Sequence, residues 1–78
     1  MVVMASMAAQ DIASQVFLGE KQLRRGYRSP VHWHDYVEAE IVLDGEVTHW
    51  YNGTSLRLHR GDAYVMTPSD FHALQAET

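Results

Sequence analysis

From Val16 onward the chain is written in short apolar or alternating runs, interrupted every eight to ten positions by turn residues. That rhythm most constrains the fold: it is the signature of an all-β sandwich or barrel, in which each short strand crosses the domain and reverses. Candidate strands cover 16–18, 22–28, 37–43, 46–51, 54–58, 63–67 and 71–75. Residues 1–14 show no β alternation and are expected to form a flexible arm or a short helix outside the core, leaving 15–78 as the folded domain. Asp44-Gly45 and Asn52-Gly53 are two-residue loops of the kind that close tight hairpins through primed turns. They predict that three successive strands pair in register: Val42 opposite Val47, Glu40 opposite His49 and Glu38 opposite Tyr51, then His49 opposite Leu56 and Val47 opposite Leu58. Glu38, Glu40, Val42, Val47, His49, Tyr51, Leu56 and Leu58 would then share one face, and the wetter pattern of the other face makes this one the interior. An inward carboxylate such as Glu38 is costly unless it is paired or bound to a cation.

Size makes that cost matter. A chain of 78 residues buries only roughly 60 to 65% of its unfolded surface. Domains this small usually lean on a disulfide, a metal or a partner subunit, and with no cysteine the disulfide is excluded. Ten acidic against six basic residues give a net charge of −4, which argues against direct nucleic-acid contact by this chain. No apolar run approaches the ~20 residues of a membrane span. The Met- and Ala-rich start lacks the basic flank of a secretory signal, so a cytoplasmic location is the default expectation.

His32 and His34 lie two apart, so on an extended backbone both project to one side with Cβ atoms ~6.6 Å apart, close enough to converge on one ion. A bend at Asp35-Tyr36 would bring Glu38 into the same shell. His72 stands far downstream, after a Pro-Ser-Asp turn. Imidazole and carboxylate are the usual ligands for a divalent transition metal where no thiolate is present. Glu40, His49 and Tyr51 add hydrogen-bonding groups to the same predicted interior, suited to a hydroxyl-rich ligand or, equally, to neutralising one another. On the opposite face Ala39, Ile41, Leu43 and Trp50 would suit a subunit contact if they are exposed.

The order Gly26, His32-Trp33-His34, Glu38, Gly45 reproduces position for position the first sequence motif of the cupin superfamily, and the segment from Gly61 to His72 resembles the second. Thr67, Ser69 and the lack of an Asn after His72 depart from that second motif. The resemblance implies a small jelly-roll barrel, in which His32, His34, Glu38 and His72 would hold a metal; three His and one carboxylate do not select among zinc, nickel, manganese and iron. Because the chain stops just after His72, one or two strands of the full jelly roll are expected to be missing, or an open edge to be covered by a second subunit in a homodimer.

Within the cupins, His-Trp-His-Asp-Tyr, Val42-Leu43-Asp44-Gly45, Thr48-His49, Asn52-Gly53 and Thr67-Pro68-Ser69-Asp70-Phe71-His72 resemble the amino-terminal sensor domain of AraC-type transcriptional regulators. That likeness implies a domain that binds a small, sugar-like effector and helps dimerisation, with helix-turn-helix DNA-binding segments lying outside this chain. The alternative is a free-standing metal-dependent cupin of dioxygenase or isomerase type. Binding is the preferred reading over catalysis, since no general acid or nucleophile stands out beyond the ligand set.

Overall fold

The computed structural model describes residues 1–10 and 15–78. Seven strands form it: β1 Val2–Gln10, β2 Gln15–Leu23, β3 Val37–Asp44, β4 Val47–Tyr51, β5 Thr54–Leu58, β6 Ala63–Met66 and β7 His72–Ala76. They build two antiparallel sheets, one in the order β2-β1-β3-β6 and one in the order β5-β4-β7. Their inner faces meet on Val2, Met4, Leu23, Val42, Val47, Leu58, Leu74 and Ala76. The expected all-β, barrel-like fold is present. Among the described residues no helix is long and apolar enough to cross a membrane.

Three expectations need correction. The first is the arm: residues 2–10 are strand β1, paired with β2 on one side and β3 on the other, with Val2 and Met4 fully buried. The alternation was hidden because alanines and Ser6 fill both faces of β1, so side-chain size carries little signal there. Residues 11–14, also assigned to the arm, lie outside the described residues. The second is the split of 16–18 from 22–28: residues 15–23 run as one strand, and the chain turns at Arg25-Gly26.

The third is the hairpin at Asp44-Gly45. β3 and β4 belong to different sheets, so Glu38 does not pair with Tyr51, nor Glu40 with His49. A primed type I turn needs positive φ at both central residues. Asn52 (φ 48°) and Gly53 (φ 81°) meet that requirement, and β4 and β5 pair in the predicted register, with Tyr51 opposite Thr54, His49 opposite Leu56 and Val47 opposite Leu58. At 44–45 only Gly45 has positive φ (87°). The chain there steps from one sheet to the other, and the edge of β3 intended for β4 is taken by β1. Val42 and Val47 are both fully buried even so, because they face one another across the core instead of lying side by side.

Between β2 and β3 the chain runs along the free edge of β7. Ser29 N–H donates to the Leu74 carbonyl, and His32 and His72 exchange both backbone hydrogen bonds, all at 2.9 Å. The Ser29 hydroxyl accepts from the Leu74 N–H at 2.9 Å. These pairings deliver His72 to the first two histidines.

Candidate metal and ligand site

His72 is carried by β7, and the antiparallel bridge with His32 sets their rings 4.1 Å apart. His34 follows two residues later, and the bend at residues 35–36 returns the chain so that Tyr36 stacks on the His34 ring at 4.3 Å, nearly parallel. One ligand atom from each of His32, His34 and His72 lies within 4.8 Å of the others. His34 Nε2 is 3.2 Å from His72 Nε2 and 3.4 Å from Glu38 Oε1. The fold therefore gathers the three histidines, and Glu38, the fourth residue that the motifs imply, approaches them through His34.

The protonation of the rings follows from their other contacts. His32 Nδ1 lies 2.8 Å from the Pro30 carbonyl, which can only accept, so Nδ1 is the donor there and Nε2 is the nitrogen left for another partner. His72 Nδ1 lies 3.2 Å from His49 Nε2, a buried nitrogen able to accept its hydrogen. Burial, reinforced by His32, His49 and His34, lowers the His72 pKa to about 3, so the ring stays neutral. Nδ1 of His34 is buried without a partner, which leaves Nε2 as its polar outlet toward His72 and Glu38. Burial first, and then Glu40, raises the Glu38 pKa, against the lowering influence of His34.

This donor set fits a divalent cation. Two nitrogens each ~2.0–2.1 Å from a tetrahedral zinc stand ~3.3–3.4 Å apart, and the His34–His72 and His34–Glu38 separations of 3.2 and 3.4 Å are of that size. A nearby positive charge would also relieve the cost of holding Glu38 ionised. The triad opens into a cavity of about 310 Å³ whose walls include Lys21, Tyr27, Ser29, Tyr36 and Glu38.

Glu40, His49 and Tyr51 are placed differently from the triad. Glu40 and His49 point inward and are almost completely buried, while Tyr51 is exposed at the rim. None of the three lines the 310 Å³ cavity. Glu40 accepts a 2.5 Å hydrogen bond from the Tyr64 hydroxyl, and the Lys21 ammonium lies 2.6 Å from its other oxygen. That second contact is an ion pair without the direction of a hydrogen bond, since the same Oε2 has no hydrogen-bond partner. His49 stacks on Tyr64 at 4.0 Å, and burial lowers its pKa. Tyr64 is held neutral: burial and Glu40 push its pKa far up.

Lys21, Tyr36 and Tyr64 are functional candidates that sequence reasoning missed. Tyr64 had a signal, because it stands in the second motif two residues before the buried Met66. Its meeting with Glu40 depends on the β3–β6 pairing, which no local turn announces.

Two antiparallel sheets closing over an inward histidine cluster define a cupin, and the chain belongs to that family: the family model described as "Cupin domain" matches residues 20–78. Over 47 residues it is also 34% identical to the HTH-type transcriptional activator RhaR of Pectobacterium carotovorum subsp. carotovorum (strain PC1), a match covering 60% of this chain and 16% of that protein. This similarity supports the AraC-type resemblance of the motifs, and the matched stretch spans about a sixth of the relative's length. No solved structure matches the chain.

Proposed function

We propose that this cupin domain senses a small hydroxyl-rich molecule for an AraC-type regulator in the cytoplasm, with DNA binding carried by segments outside the chain. The observation that carries this reading is the cavity of about 310 Å³ that opens onto His32, His34, Glu38 and His72. Its size suits a sugar-like effector, and Lys21, Tyr27, Ser29 and Tyr36 offer the hydrogen-bonding groups such a ligand needs. His32, His34, Glu38 and His72 are the residues that would hold a divalent metal, which would supply a Lewis-acidic anchor for ligand oxygens. Glu40 and His49 support the site from behind. A homodimer belongs to the same reading, since a core this small gains from a second subunit.

A metal-dependent enzyme of dioxygenase or isomerase type is the second reading. What favours it is the ligand-like spacing around His34 Nε2, 3.2 Å to His72 and 3.4 Å to Glu38. Thermal unfolding with a panel of monosaccharides, with and without zinc, nickel, manganese or iron(II), separates the two. A ligand present at 100 times its Kd contributes about 2.7 kcal/mol, on the order of 10 °C for a domain this small. The sensor reading expects such a shift from one sugar-like compound and its loss in His34→Ala. Turnover of a substrate by the metal-loaded protein, with no stabilisation by any sugar, would favour the enzyme instead.

A further inference from the structure

The outer face of the larger sheet is apolar to an unusual degree. Along β1 the side chains of Val2 and Met4 point inward, so Val3, Ala5, Met7 and Ala9 point out. The register continues the pattern across the sheet: Met7 stands beside Leu18 on β2 and Ala39 on β3, Ala39 beside Val65 on β6, and Ala5 beside Ile41. Among the described residues of β1, β3 and β6 the one charge on the outward side is Asp44, exposed at the last position of β3 opposite Val3. Leu18 is 79%, Val65 66% and Met7 49% exposed, so the face meets solvent with its large side chains.

The outer face of the smaller sheet is the opposite in character. Arg57 there is 2.6 Å from Glu46 and 3.3 Å from Glu77, and Thr48 donates to Glu77 at 2.8 Å. Trp50, expected beside Ala39, Ile41 and Leu43, belongs to this second sheet, where Arg28 lies 5.2 Å above its ring. The molecule thus has one wet outer face and one dry one.

We infer that the outer face of the β2-β1-β3-β6 sheet is the contact with a second copy of this chain, sheet packed on sheet about a two-fold axis. This rests on the homodimer proposed above and adds which surface makes it. At ~4.8 Å between strands and ~3.3 Å per residue, the face measures on the order of 500 Å², so two copies would bury about 1,000 Å² in total, the lower bound for a specific interface and the size of a weak, reversible one. A two-fold contact places each patch against itself. A patch with its charges confined to its edge is self-compatible, so two copies that each carry a net charge of −4 can meet there with few charges opposed. Glu20 and Gln22, outward at the β2 corner opposite Ala5 and Val3, supply a polar rim.

Sedimentation of the 78-residue chain from micromolar to millimolar concentration tests this, with Val65→Lys, Met7→Lys and, on the other sheet, Ser55→Lys as a control. All three sites are on exposed strand positions, and thermal unfolding of each variant verifies that it folds. The expected result is a dimer whose dissociation constant rises at least tenfold in Val65→Lys and Met7→Lys and is unchanged in Ser55→Lys. A dimer indifferent to the first two variants, or equally sensitive to the third, would overturn this face while leaving the homodimer standing. A monomer throughout would overturn both.

Discussion

His49 shows how a residue can serve a site without facing its ligand. It is 2% exposed, stacks on Tyr64, and its Nε2 faces Nδ1 of His72. A neutral His49 that accepts the His72 Nδ1 hydrogen holds that ring with Nε2 turned toward His34. Such outer partners typically govern metal affinity by 10–100-fold. His49→Leu is therefore expected to weaken zinc binding by about that factor, and His49→Gln, whose carbonyl can still accept, by less. Chelator-competition titration measures both; equal affinity in His49→Leu would reduce the contact to packing. Lys21 and Glu40 belong to the same scale: a fully buried carboxylate is tolerable because an ammonium and a phenol meet it. Glu40 was legible as an inward group from strand alternation, but Lys21 and Tyr64 were not, because they come from strands far away in sequence.

At the scale of elements, two loops that read alike in sequence behave differently. Asn52-Gly53 closes a true hairpin and nothing lies within 4 Å of a Cβ added at Gly53, whereas Gly45 sits where both chain ends meet. A Cβ there would come within 2.9 Å of the Met1 carbonyl oxygen and 2.6 Å of the Thr78 hydroxyl. Left-handed φ alone costs a residue other than glycine roughly 1–2 kcal/mol. Gly45→Ala is expected to lose that and a further kcal/mol or so from displaced backbone, lowering the melting temperature clearly more than Gly53→Ala. Similar losses in the two variants would mean that the terminal strands yield freely at this point. Composition of the dipeptide announced a turn in both places. The strand that each turn would serve depended on β1, whose claim on the edge of β3 is not written near residue 44.

For the whole molecule, the buried histidines set a pH dependence. His72 and His49 have pKa values lowered by burial, to about 3 for His72. Between that value and the ordinary histidine pKa of ~6.5 the unfolded chain binds protons that the folded chain does not, so stability of the metal-free protein rises with pH. The slope reaches about 1.4 kcal/mol per pH unit for His72, and His49 adds to it in the same direction. Glu38, whose pKa is raised, acts in the opposite sense just above the ordinary carboxylate range and only partly offsets this. Urea unfolding of metal-free protein at pH 7 and pH 5 should show the loss on acidification, and a pH-independent midpoint would contradict the burial of His72 and His49. Much of the molecule was legible beforehand: the strand-rich class, the β4–β5 register and the spacing that brought His32, His34 and Glu38 together rest on interactions within a few residues, which sequence encodes directly. The assignment of β3 and β4 to separate sheets, the use of residues 2–10 as a central strand, the return of His72 beside His32 and the dry outer face were decided by the tertiary structure. Each depends on which of several apolar faces can be buried at once, and that competition is settled only when the whole chain closes.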